Sequence, residues 1–304
     1  MSARRGSPPG VSARGVRRAL LAAGVLGVVA TACSGDGGRA QIRVASTTSL
    51  YDTELLDELV PAFEAAHPEY EAQVLAVGTG EALALGRRGD ADVVLAHAPE
   101  REEQFVAEGH GLRRTTFMRN DFVIAGPAED PAGVADATDA ADALRRIAYA
   151  EAGFASRGDD SGTNIRERML WQDAGLEPGG DWYLDVGQGM GSTLLFAGER
   201  RAYALTDRAT LTTLRANGLD LVEVFTDGDA MLNVYSVIPA ARALRPEGAA
   251  AFEAWILGDE AAAIIRDFGA ERYGQPLFTL IVPEPEPEPR PEPAPGSATE
   301  PATP

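Results

Sequence analysis

Residues 73–96 read Gln73-Val74-Leu75-Ala76-Val77-Gly78-Thr79-Gly80-Glu81-Ala82-Leu83-Ala84-Leu85-Gly86-Arg87-Arg88-Gly89-Asp90-Ala91-Asp92-Val93-Val94-Leu95-Ala96. An apolar run of strand length at 73–77 gives way to a glycine-rich break. A short helical stretch at 81–88 follows, and then a second apolar run at 92–96 with no alternation. A strand, a helix and a fully buried strand make one βαβ unit, the building block of a parallel sheet flanked by helices.

The same rhythm extends both ways. Upstream lie a strand at 42–45 and a helix at 54–66, with Leu55, Leu56, Leu59 and Phe63 on one stripe. Downstream come a helix at 100–108 and an extended stretch at 117–125. A second α/β set then places helices at 139–147, 162–174, 192–198 and 209–216, and strands at 153–156, 182–186 and 221–225. A strand at 232–238 and helices at 248–257 and 260–268 close the pattern. About 240 residues in two α/β sets exceed one comfortable core, so the reading is two lobes around a cleft. Residues 41–121 and 234–281 form a discontinuous first lobe and residues 122–233 the second. Extended hinge segments cross between them near Asn120–Val123 and Leu232–Tyr235.

The composition narrows the function classes. The 304 residues are 45% hydrophobic and 24% charged, as in globular proteins. The formal charge is −19, and every basic residue is arginine. A broad phosphate-facing surface is absent from such a chain, so nucleic acid is excluded as a partner. One cysteine, Cys33, and three histidines without helical ligand spacing leave no metal motif. No cofactor fingerprint occurs: Gly187-Gln188-Gly189-Met190-Gly191 lacks the ending of a phosphate-binding loop and has the wrong glycine spacing for a dinucleotide.

The ends read as something other than fold. Residues 1–32 carry five arginines, no acid and a short apolar run at 19–30, the pattern of an export signal. Ala30-Thr31-Ala32-Cys33 resembles a bacterial lipoprotein box, with cleavage before a lipid-bearing Cys33; the alternative is an ordinary signal peptide with an incidental cysteine. Arg17-Arg18 also faintly matches a twin-arginine signal. Without residues 1–32 the formal charge falls from −19 to −24. Residues 33–40 read as a tether, and 282–304, where Pro alternates with Glu, as an extended tail.

Three segments share a strand, a cluster of small hydroxyl or glycine residues, and a helix. They are Ala45-Ser46-Thr47-Thr48-Ser49 before the helix at Glu54, Gly78-Thr79-Gly80 before the helix at Glu81, and Ser156-Arg157-Gly158-Asp159-Asp160-Ser161-Gly162-Thr163-Asn164 before the helix at Ile165. Helix starts present unpaired N–H groups and partial positive charge, so they hold anions without a cationic surface. Each segment alone is equally a helix cap. Arg157 ahead of a helix start favours an anion between guanidinium and helix; the other reading is a surface pair with Asp159 or Asp160.

These stretches carry a resemblance. With Gly89 to Glu100, Asn120 to Ile124, Asp181-Trp182-Tyr183, Gly187 to Gly191, Leu205-Thr206-Asp207-Arg208 and Tyr273 to Phe278, they match in order over nearly the whole of 41–281. The chain resembles the periplasmic tungstate-binding proteins of ABC-type oxyanion uptake systems. The resemblance implies the type II periplasmic binding-protein fold, two α/β lobes joined by hinge strands around an anion cleft. It implies Thr48, Thr79, Arg157 and Thr163 as donors to the oxyanion, with Thr47, Ser161 and the Gly162 amide beside them. It also implies tungstate or molybdate as ligand, an ABC permease as partner, a monomer, and an extracytoplasmic location on a lipid anchor.

The chemistry agrees with such a ligand. Tungstate and molybdate are proton-free dianions at neutral pH, whereas phosphate keeps a proton and needs an acceptor aimed at it. A lining of hydroxyls, amides and one arginine selects the former, because an unpaired buried acceptor costs about 1–3 kcal/mol. Asp159 and Asp160 are expected to face solvent; either one turned inward would shift the reading toward phosphate. Sulfate or phosphate binding is the neighbouring alternative. An extracytoplasmic enzyme on an anionic substrate is the rival of another class, although no serine or cysteine pairs with His97 by motif and no nucleophile elbow occurs. A sensor or adhesin with a vestigial cleft is a third reading.

Overall fold

A computed structural model describes residues 38–281. The export signal, Cys33, most of the tether and the Pro/Glu tail lie outside the described residues. In chain order the elements are β1 (Ala40–Thr47), α1 (Thr48–Asp52), α2 (Leu55–Ala66), β2 (Tyr70–Val77), α3 (Thr79–Arg88), β3 (Val93–Ala96), α4 (Pro99–Ala107), β4 (Thr115–Gly126), α5 (Ala140–Tyr149), β5 (Phe154–Ser156), α6 (Gly162–Asp173), β6 (Tyr183–Asp185), α7 (Met190–Arg200), β7 (Ala204–Asp207), α8 (Arg208–Ala216), β8 (Val222–Phe225), β9 (Leu232–Pro239), α9 (Pro246–Ile256), α10 (Asp259–Asp267), α11 (Ala270–Tyr273) and β10 (Thr279–Leu280).

The βαβ unit forms as read. β1 runs parallel to both β2 and β3, and α3 crosses between β2 and β3. Helix α3 ends where Gly89 adopts a left-handed φ of 79°, with Arg87 and Arg88 in its last turn and Glu81 in its first, each complementing the helix dipole. Helix α2 buries Leu55, Leu56, Leu59 and Phe63 as its stripe requires. Each such side chain contributes about 1.5–3 kcal/mol of transfer free energy.

The sheet is mixed, where the alternation alone suggested parallel strands. Its order is β10-β4-β9-β3-β1-β2, and β3, β4 and β9 pair antiparallel. The reason is the two long connecting strands. β4 pairs with β9 as far as Asp121↔Leu232, then changes partner and pairs with β7 from Phe122↔Asp207 and with β8 beyond it. One strand therefore serves both lobes. Leu50, Leu59, Phe63, Tyr235 and Phe252 share one apolar core, and Phe154, Leu170, Trp171 and Tyr203 another.

Three short elements carry no periodic signal: α1, β7 and α11. β7 is only Ala204-Leu205-Thr206-Asp207, buried throughout, so it shows no alternation. Helix α1 occupies the break between the first hydroxyl cluster and α2. The chain then turns at Glu54, whose φ is 69°, before α2 begins at Leu55. The helix start facing the Thr47–Thr48 cluster is thus a single turn.

Candidate functional site

β1, β2 and β5 each end at one of the three clusters, and the structure brings the clusters together. The amide of Gly162, at the start of α6, donates to Thr79 Oγ1 at the start of α3 (3.0 Å). Arg157 Nη2 donates to Thr48 Oγ1 (2.9 Å). The backbone of Gly78 approaches Asp159 and Ser161 so closely that an added Cβ would lie 3.3 Å from the Asp159 carbonyl oxygen. Gly162 packs against His97, where an added Cβ would lie 2.9 Å from the ring. Thr48, Gly78, Thr79 and His97 therefore meet Arg157, Ser161 and Gly162, residues that lie far apart in the sequence.

The hydroxyl roles follow from their partners. Thr48 Oγ1 accepts from Arg157, Thr79 Oγ1 from Gly162, and Ser161 Oγ from the Asn164 amide (3.2 Å) as the cap of α6. None of the three donates to any described residue, so each keeps its hydrogen. Among the described residues, the buried Thr163 Oγ1, Ser46 Oγ and Arg157 Nη1 have no partner at all. A hydroxyl used as an acceptor keeps its hydrogen, so these clusters hold donors that no described protein group takes up. Thr47 differs: its Oγ1 accepts from Leu50 N (3.3 Å) and lies 3.3 Å from Ser49 Oγ, so its hydroxyl serves the start of α1.

The two aspartates part company. Asp160 faces outward as expected, on Arg101 (2.5 and 2.8 Å) and Arg168 (3.0 Å). Asp159 does not: it turns onto Arg157, receiving Nη2 at 2.5 Å and Nε at 3.2 Å on Oδ2, while Oδ1 accepts from the Ser161 amide (3.2 Å). Nor is this a surface pair, since Arg157 is only 1% exposed. The backbone makes the inward turn, with Gly158 and Asp160 both left-handed at φ 59° and 58°. Both Asp159 oxygens are already met by protein N–H groups. The carboxylate is first a partner of the arginine, although Oδ1 carries a single hydrogen bond and retains a lone pair.

A serine does pair with His97, against the sequence reading. Ser49 Oγ lies 3.0 Å from His97 Nε2, and His97 Nδ1 lies 2.7 Å from Asn233 Oδ1. Asn233 Nδ2 donates to Asn120 Oδ1 (2.8 Å) and to the Tyr235 hydroxyl (3.0 Å), which fixes the amide orientation. Nδ1 of His97 is therefore the protonated nitrogen, and Nε2 accepts from Ser49. Burial drives the imidazole pKa down to about 4, so it is neutral at physiological pH. The spacing resembles that of a hydrolase triad, with Ser49, His97 and Asn233 all buried. The network ties the β4–β9 crossing to the site wall. A cavity of about 210 Å³ beside His97 and Gly162 is lined by apolar Phe122, Ile165, Met169 and Leu232 together with the charged Glu100, Arg166 and Asp229.

Two participants escaped the sequence reading. The Gly189 turn at the start of α7 comes within contact of Thr48, and the Gly191 amide donates to Asp52 Oδ2 (3.0 Å). Burial raises the Asp52 carboxyl pKa, against the pull of that amide and of Arg157. The signal for this contact was the uncapped glycine start of α7. Among the described residues no cluster of His, Cys, Asp and Glu could hold a metal, and no helix is long and apolar enough to cross a membrane.

Comparison with known proteins identifies the family. Residues 31–260 match the family described as a PBP superfamily domain. The chain is 44% identical over 248 residues to "Tungstate-binding protein TupA" of Peptoclostridium acidaminophilum, covering 79% of this chain and 86% of that protein. Among solved structures, the tungstate ABC transporter protein from Geobacter sulfurreducens superposes with a TM-score of 0.69 at 43% identity, covering 75% of this chain and 98% of that one. The tungstate-binding protein TupA from Desulfovibrio alaskensis G20 gives 0.65 at 38% identity, covering 80% and 99%.

Proposed function

The chain belongs to the PBP superfamily, and from that premise we propose that it captures tungstate outside the cytoplasm and hands it to an ABC permease. It is a binding protein, not an enzyme, as are the tungstate-binding relatives it aligns with over most of their length. The observation that carries the reading is the set of free donors. Thr48, Thr79 and Ser161 accept from protein groups and keep their hydrogens, and Thr163 Oγ1 and Arg157 Nη1 are buried without partners. Such a lining suits an anion that accepts at every oxygen and donates at none. The proposed ligand set is Thr48, Thr79, Arg157, Ser161, Gly162 and Thr163, with Thr47 capping α1 beneath them. Residues 41–121 with 234–281 form one lobe and 122–233 the other, and closure on the ligand is the state the permease recognises. Molybdate, equal in charge and close in size, is the second ligand. Attachment through a lipidated Cys33 and a monomeric state complete the proposal.

The test is a thermal-shift and calorimetric panel of tungstate, molybdate, sulfate, phosphate and chromate on residues 34–304. A ligand at a hundredfold excess over its Kd stabilises by about 2.7 kcal/mol, an easily read shift. Tungstate is expected to shift most, with phosphate inert. A phosphate preference would replace the ligand assignment, and no response to any oxyanion would end it. For the anchor, Cys33→Ser is expected to release the protein from the membrane fraction.

A further inference from the structure

We propose that Asp159 positions Arg157 for the oxyanion, clamping one edge of the guanidinium and leaving Nη1 as the group that meets the ligand. The inference rests on the oxyanion reading above. An arginine has five N–H hydrogens in a fixed planar fork. Here the Nε hydrogen goes to Asp159 Oδ2, and the two on Nη2 go to Asp159 Oδ2 and Thr48 Oγ1. Both hydrogens on Nη1 remain, on a buried atom with no described partner. The free donor is therefore a specific atom, set by what holds the other two nitrogens.

The carboxylate is itself held. The Ser161 amide donates to Asp159 Oδ1 (3.2 Å), so the α6 start and the arginine share one aspartate. Its turn is built at the backbone, with left-handed residues on either side. Gly158 sits at φ 59°, a left-handed conformation that glycine adopts without the cost a Cβ would add. A carboxylate that merely occupied the anion position until a ligand displaced it would need no such fixture, and it would compete for the donor that the ligand uses. Asp159 leaves Nη1 alone. It also closes the Nε–Nη2 edge, which is one of the two-point faces an arginine offers to planar carboxylates.

The test compares Asp159→Ala with Asp159→Asn in residues 34–304. Asparagine keeps an oxygen acceptor for the guanidinium; alanine keeps none. Calorimetry with sodium tungstate is expected to show about 10-fold weaker binding for D159A, the lower end of what loss of an orienting partner costs. D159N should stay within about 3-fold of the parent, since its amide oxygen still orients the fork. D159A binding as tightly as the parent, or tighter, would overturn the proposal and make the carboxylate a competitor. Hydrogen exchange at Arg157 Nε–H, followed by ¹⁵N NMR without tungstate, reads the clamp directly. It should be slow in the parent and D159N, and fast in D159A; fast exchange in the parent would overturn the clamp. If the parent fails to bind tungstate, the ligand assignment falls while the exchange measurement still decides whether Asp159 holds Arg157.

Discussion

Gly162 donates its amide hydrogen to the hydroxyl oxygen of Thr79 across 3.0 Å, joining the first turns of two helices 83 residues apart in the chain. The bond fixes the polarity of the site wall: Thr79 is an acceptor toward the protein, and its hydrogen is left over. The Thr48 hydroxyl stands in the same relation to Arg157.

Thr79→Val keeps the shape and removes the acceptor. It leaves the Gly162 N–H buried and unpaired, a loss of about 1–3 kcal/mol, and deletes one ligand donor. The expected result is a lower Tm together with weaker tungstate binding, whereas Thr79→Ser restores both. Equal Tm and Kd for the valine variant would show that the hydroxyl is idle.

Arg157→Ala is expected to abolish calorimetric tungstate binding. It also strands Asp159, so Tm should fall by several degrees while circular dichroism keeps its α/β shape. A charge-assisted donor is roughly twice as strong as a neutral one, which makes this residue the largest single loss. Full retained affinity would remove Arg157 from the site.

Gly158→Ala is expected to destabilise the protein by about 1–2 kcal/mol, the cost of a left-handed conformation with a Cβ. Chemical denaturation measures it. An unchanged midpoint would mean that the loop adopts another path, and the inward placement of Asp159 would fall with it.

His97 makes stability depend on pH. Its pKa is lowered from 6.5 to about 4 in the folded protein, chiefly by burial. Between these values the unfolded chain binds a proton that the folded one does not, so stability is full above about pH 6.5 and falls as pH drops toward 4. The loss through this group is on the order of 3 kcal/mol. His97→Gln, which has no ionisable ring, should flatten the denaturation midpoint across that window; an unchanged slope would assign the effect to other groups.

Much of this was legible in one dimension. Apolar runs separated by helical stripes gave the α/β class, because burial imposes periods of two and 3.6 on the chain. The hydroxyl and glycine clusters could be picked out as a candidate site, because strand ends that lead into helices repeat one local chemistry. The mixed sheet was not legible: the antiparallel pairing of β4 with β9 joins residues more than a hundred positions apart, and no local pattern encodes it.

The sequence by itself determined which residues could donate: Thr48, Thr79, Arg157, Ser161 and Thr163, each written beside a strand end. Only the tertiary structure decided how their hydrogens are spent. Asp159 and Asp160 are adjacent and chemically identical, yet one clamps Arg157 and the other faces Arg101. The difference comes from two left-handed residues and from partners supplied by distant elements. A hydrogen bond depends on distance and direction in space, and the order of residues along a chain fixes neither until the fold has closed.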